Sequence, residues 1–266
     1  NLKRLNVKPL EPYIEEEVAF QNGDATLVGT LVKPNKSGKH PAIIFTHGSG
    51  NQTRTQSNYR SRAYLFARNG IVALIYDRRG TGASKGGGDN ANWNNLADDA
   101  VAGLKMLQAR SDINPKKIGV SGFSQGGWVS PLAAFRSKNV AFVLVGSAAA
   151  ITPEQQNNYN VESILRDRGV AEETIKAVMN LRGRVDQFLH NPNGDKAILE
   201  TEIAKLKGET WFRNALLPEK LEPYDAESKA YITFDPAPIW EKIKVPVCSL
   251  WGEKDLNVPS QKSKII

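Results

Sequence analysis

A chain of 266 residues, 40% hydrophobic and 24% charged, has enough apolar material for one large globular domain with an insertion, or for two smaller domains. Its formal charge of +7 is spread without any block of consecutive Lys or Arg. It therefore reads as a solvated surface and argues against a nucleic-acid or anionic-membrane footprint. No apolar run approaches the ~20 residues of a membrane-spanning helix, and none forms the core of a retained signal peptide.

In chain order, Glu15–Gln21 and Thr26–Lys33 alternate apolar and polar residues around Asn22-Gly23-Asp24, the pattern of an antiparallel hairpin. Pro41–Thr46 is a short apolar strand that enters His47-Gly48-Ser49-Gly50. Tyr59–Asn69 reads as a helix stopped by Gly70, and Ile71–Tyr76 as a buried parallel strand. A Gly-dense loop, Asp77–Asn90, precedes a helix over Trp93–Arg110, with Leu96, Val101, Leu104 and Leu107 at helical spacing. The apolar run ending in Gly122-Phe123-Ser124-Gln125-Gly126 opens into a helix over Gly126–Phe135, and Val140–Val145 is the next strand. Strands alternating with helices predict an α/β fold with a mainly parallel sheet covered on both faces.

Between Thr152 and about Glu241 the pattern turns helical. Thr152-Pro153-Glu154-Gln155 joins an N-cap, a proline at the first helical position and a capping-box glutamine. Glu172–His190 puts Ile175, Val178, Met179, Val185 and Phe188 on one face, and Ala197–Leu206 repeats the habit. The expected organisation is a core over residues 1–151, a helical cap over 152–241, and the second part of the core over 242–266. Ile175, Met179, Phe188, Trp211, Phe212 and Tyr224 read as the cap's own core in preference to an acyl pocket. Strand character returns at Val245–Trp251. That run holds the single Cys248, which excludes an intrachain disulfide and is expected to be buried as a small hydrophobe. One cysteine suits the cytosol and a bacterial periplasm alike. Asn1 in place of a starting Met is explained equally by a removed leader and by a cloning remnant.

The chemistry centres on Gly-x-Ser-x-Gly, set between a strand and a helix. Such a turn holds Ser124 Oγ clear of the backbone and has no room for side chains at Gly122 or Gly126. A serine hydroxyl needs a base and a carboxylate to orient that base. Asp255, in the loop after the returning strand, is the candidate acid, with Glu253 its rival. The oxyanion needs two N–H donors, assigned to Gln125 and, from the Gly48-Ser49-Gly50 loop, to Ser49. His47 reads as a brace for that loop, not as the base. Asp77 and its neighbouring arginines read as loop-fixing groups. Gly80-Thr81-Gly82-Ala83-Ser84-Lys85 fails the dinucleotide fingerprint at Lys85, and three unpaired histidines make no zinc site.

Taken together, His47–Gly50, Asp77–Ser84, Gly122–Gly126 and Gly252–Asp255 make the chain resemble the α/β-hydrolase superfamily. Within it, the chain is most similar to serine esterases and peptidase-like hydrolases related to dienelactone hydrolases and prolyl-oligopeptidase catalytic domains. The resemblance implies an acyl-enzyme on Ser124, Asp255 as triad acid, a small-molecule ester or acyl substrate, and no metal or organic cofactor. Amide or peptide cleavage by the same triad is the nearest rival. The resemblance also implies a histidine later in the chain than the acid, and none follows Asp255 up to Ile266. The last strand, the catalytic histidine and the closing helix are expected beyond Ile266, because a sheet without them leaves apolar surface open. His190 acting from the cap, and an inactive relative that binds without turnover, are the two other accounts.

Overall fold

Alternating apolar residues around Gly23 form strands β1 (Tyr13–Asn22) and β2 (Ala25–Pro34) in the computed structural model, which describes residues 12–87 and 92–263. The last three residues of the expected Asp77–Asn90 loop lie outside the described residues. Gly23 has a φ of 59° at the turn, a value that favours glycine. By their contacts the residues divide into two compact units, one of Asn1–Ala148 with Ile239–Leu250 and one of Ala149–Pro238 with Trp251–Ile266.

The first unit is built on a sheet. After the hairpin come β3 (His40–Thr46), α1 (Ser57–Arg68), β4 (Val72–Tyr76), α2 (Trp93–Gln108), β5 (Ile113–Phe123), α3 (Gly126–Arg136), β6 (Val143–Gly146) and β7 (Val247–Leu250). Among the described residues seven strands lie in the order β1-β2-β4-β3-β5-β6-β7. The β1–β2 and β2–β4 pairs are antiparallel and the other four are parallel. Side chains alternate across the sheet. Ile43, Phe45, Ala73 and Ile75 pack with Tyr59, Ala63 and Ala67 of α1. Leu74 points the other way, where its methyl group would stand 3.0 Å from a Cβ on Gly103 of α2. Both faces are therefore covered, as the strand–helix alternation predicts.

β6 starts at Val143, later than the sequence suggests, because Ser137–Val140 closes a turn in which the Val140 N–H bonds to Ser137 O at 3.2 Å. Cys248 is exposed, contrary to the expectation of burial. Among the described strands β7 pairs only with β6, and alternate residues turn outward, leaving Leu250 56% exposed.

The second unit is helical: α4 (Pro153–Asp167), α5 (Glu172–His190), α6 (Lys196–Leu206) and α7 (Ala226–Ile232). Thr152 and Gln155 form the expected capping box at the start of α4. Val161, Leu165, Ile175, Phe188, Ile203 and Trp211 belong to this unit's own buried cluster, with Met179, Phe212 and Tyr224 packed against it. The expected core role of these aromatic and aliphatic side chains holds. No helix among the described residues is long and apolar enough to cross a membrane.

Candidate active site

β5 and α3 meet in a turn too tight for ordinary side chains. Ser124, between them, has a φ of 53° and is exposed. For a residue with a Cβ that left-handed conformation costs about 1–2 kcal/mol. The Ser124 N–H bonds to Gly146 O at 3.2 Å, and Gly127 N–H bonds to Ser124 O at 2.7 Å. A Cβ on Gly122 would run into the Gly126 carbonyl and come within 2.5 Å of Thr46 Oγ1, and one on Gly126 would meet Thr46 Oγ1 at 2.9 Å. The two glycines are thus steric requirements of this turn. Thr46 stands beneath it, its hydroxyl 3.1 Å from Gly126 O and 2.8 Å from Ser130 Oγ.

In the parallel register Thr46 lies opposite Gly122, so the loop after β3 emerges beside the serine turn. His47 opens that loop and is buried, its Nε2 2.6 Å from Tyr76 O and its ring edge-on to Tyr59 and Tyr76. Burial, first of all, pushes the imidazole down to about 4, so it is neutral near pH 7. That is the geometry of a brace. Gly48 donates its N–H to the Tyr59 hydroxyl at 3.0 Å, and Gln52 Nε2 donates to Ser49 O at 2.7 Å. Among the described residues no acceptor takes the Ser49 N–H. Arg78 Nη1 reaches both sides of the turn, donating to Gly48 O at 3.2 Å and to Gln125 Oε1 at 2.7 Å. Gln125 is buried and leads into α3. Ser124, Gln125 and Ser49 thus stand on adjoining segments of one unit.

The Asp77–Ser84 loop is held as its composition suggests. Asp77 accepts from Arg54 N–H at 2.8 Å, Arg54 Nη1 at 3.0 Å and Ala83 N–H at 2.9 Å. Arg79 makes a two-pronged, buried pair with Asp99 of α2, at 2.9 and 2.6 Å. Neither Tyr59 nor the bridging part of Arg78 was legible beforehand. Tyr59 reads only as the start of a helix, and Arg78 as one of two interchangeable loop cations.

Asp255 belongs to the second unit. Its Oδ1 accepts from the N–H groups of Asn257 at 2.9 Å and Val258 at 3.1 Å, and its carbonyl accepts from the Tyr159 hydroxyl at 3.0 Å. This half-buried carboxylate is fixed by its own turn, whereas Glu253 is exposed. His190, also in this unit, bonds through Nε2 to Glu154 at 2.6 Å. His40 bonds to Lys36 O at 2.9 Å. Among the described residues no group of three or more His, Cys, Asp or Glu stands together to hold a metal ion.

A family model described as serine aminopeptidase, S33, matches residues 38–202. Esterase EstD of Thermotoga maritima is 25% identical over 96% of this chain and 57% of its own length. Human dipeptidyl peptidase 8 is 27% identical over 53% of this chain and 17% of its own. The chain thus spans little more than half the length of the first of these relatives and far less of the second. The crystal structure of the α/β-hydrolase GrgF from Penicillium sp. sh18 matches with a TM-score of 0.59, covering 94% of this chain and 83% of that one. At 20% identity, that likeness concerns the fold.

Proposed function

Because the chain belongs to the serine aminopeptidase S33 family and has the α/β-hydrolase fold, we propose that it is a serine hydrolase cleaving a carboxylic ester through an acyl-enzyme on Ser124. The observation that carries this reading is the left-handed, exposed serine on a turn that has no room for a side chain at Gly122 or Gly126, two positions to either side. Strain of this kind persists where the surrounding structure over-determines it, and such places cluster at reacting groups.

In the proposed cycle Ser124 Oγ attacks the ester carbonyl carbon while a base takes its proton. The carbonyl oxygen becomes an oxyanion, received by the Gln125 and Ser49 N–H groups. The carbon–alkoxy bond breaks and the alcohol leaves with the proton, so Ser124 is acylated. Water then repeats the attack and releases the acid. Asp255 is the proposed orienting acid and residues 152–241 the proposed cap. His47 does not supply the base in this reading, since its Nε2 is committed to Tyr76 O and the ring is buried. The substrate proposed is a small-molecule ester, a reading supported by likeness to an esterase over nearly the whole chain.

Amide cleavage is the second reading, favoured by the family's aminopeptidase description and by likeness to a dipeptidyl peptidase. Both use one nucleophile, so the leaving group separates them. The test treats the full-length protein with a fluorophosphonate and weighs it intact, with Ser124→Ala alongside, then compares 4-nitrophenyl butyrate with aminoacyl 4-nitroanilides. One Ser124-dependent adduct and a higher kcat/KM on the aryl ester are expected. Full turnover by Ser124→Ala would sink the nucleophile assignment, and a preference for anilides would transfer it to the peptidase reading.

A further inference from the structure

We infer that Arg78 is a positioning residue for the oxyanion hole, aiming the Ser49 N–H by holding the carbonyl at the other end of the same peptide group. The inference rests on the acyl-enzyme reading of Ser124. A peptide group is planar and trans, so its C=O and N–H point in opposite directions. The N–H of Ser49 and the C=O of Gly48 belong to one such plane. Arg78 Nη1 donates to Gly48 O at 3.2 Å, so fixing that carbonyl fixes the direction of the amide behind it. From the other side, the Gly48 N–H is taken by the Tyr59 hydroxyl at 3.0 Å. The Ser49 carbonyl is taken by Gln52 at 2.7 Å. The Ser49 N–H is left facing no acceptor among the described residues, which is the state an anion receptor requires.

The same nitrogen of Arg78 reaches Gln125 Oε1 at 2.7 Å, and Gln125 carries the second proposed donor on its backbone. One guanidinium therefore ties together the two segments whose spacing sets the hole. The two N–H groups of that nitrogen are held in the guanidinium plane, a fixed geometry that a freely rotating ammonium lacks. Arg78 is itself anchored, since its N–H donates to Gln52 O at 3.0 Å and the preceding Asp77 is clamped by Arg54 and Ala83. The loop sequence is thus read at two neighbouring positions for two tasks. Arg79 ties the loop down to Asp99, and Arg78 turns upward to the site.

The test uses full-length protein, 4-nitrophenyl butyrate, and an alkyl trifluoromethyl ketone whose hydroxyl adduct with serine mimics the tetrahedral oxyanion. For Arg78→Met, kcat is expected to fall about 10- to 100-fold with KM within about twofold, and the ketone to weaken by a similar factor. Arg78→Lys should recover part of that loss. In a Gln125→Ala background Arg78→Met should cost less than in the wild type, because part of its effect runs through that side chain. A Ser124-dependent enzyme in which Arg78→Met keeps kcat and ketone affinity within twofold of wild type overturns the inference alone, as does a loss confined to KM. Should Arg78→Met fail to fold, Arg78→Lys decides: intermediate kcat and ketone affinity support the inference, wild-type values overturn it. Turnover that survives Ser124→Ala overturns the nucleophile reading itself.

Discussion

At Ser124 sequence and conformation can be weighed against each other in free energy. A left-handed residue with a side chain costs about 1–2 kcal/mol, and glycine escapes that cost. Glycine also loosens the unfolded chain, which returns about 0.4–1 kcal/mol against the fold. We therefore expect Ser124→Gly to unfold in urea with a stability about 0.5–1 kcal/mol above that of Ser124→Ala, both being inactive. A Ser124→Gly variant less stable than Ser124→Ala would contradict a maintained φ of 53° in solution. The elbow was legible in the sequence because every signal for it is local: two glycines, one serine, a strand before and a helix after. The bracing around it was not. Arg78 reaches Gly48 across 30 positions and Gln125 across 47, and Tyr59 reaches Gly48 across 11, spacings that no local pattern records. The proposal of Asp255 as acid came from its place after a strand, a local signal, and the two N–H groups on its Oδ1 are the polar-turn chemistry that the loop composition suggests.

Elements whose apolar residues repeat with one clear period were read to within a few residues, as α5 and the β1–β2 hairpin show. Misreadings fell at sheet margins, where neighbours decide. β6 gives up its first residues to a turn, and Cys248 is exposed because β7 has one strand neighbour among those described. Long-range charge is also invisible in a linear reading. Arg110 and Lys33 gather Glu16 and Asp112 into one network that joins β1, β2 and the connection from α2 to β5. Arg110 donates to both Asp112 oxygens and, with Lys33 adding to it, holds that carboxyl down at about 2. A folded value below the unfolded one stabilises the fold above about pH 4, and that contribution is lost as pH falls towards 2. Solvent screening of these partly exposed groups reduces its worth to about 1 kcal/mol. Urea unfolding of Asp112→Asn should thus show a deficit of that size at pH 7 that shrinks progressively below about pH 4 and is mostly gone by about pH 2. A deficit independent of pH would assign the effect to packing instead of charge.

Across the whole molecule, the contact pattern that divides the chain into two units makes a claim about cooperativity. The helical unit buries a cluster of its own, with Val161 and Leu165 fully inaccessible and Ile175 and Val185 nearly so. The sheet unit buries a separate set, in which Ile43, Leu74 and Ile118 are fully inaccessible. Cores that do not share side chains open as separate cooperative units. Leu165→Ala removes buried methyl groups and leaves a cavity in the helical cluster, a change that costs about 2–5 kcal/mol at fully buried leucines. We expect hydrogen exchange to speed up across α4, α5 and α6 by a matching factor, while amides of β3, β4 and β5 keep wild-type protection. The reciprocal change, Ile118→Ala on β5, should expose the sheet amides first. If Leu165→Ala accelerated exchange equally in both sets, the two clusters would be one folding unit, and the separation seen in the contacts would carry no energetic meaning. The distinction bears on the proposed chemistry. Ser124, Gln125, Ser49 and Arg78 all stand in the sheet unit, so a destabilised helical unit should leave the serine turn formed and its reaction with a fluorophosphonate dependent on Ser124.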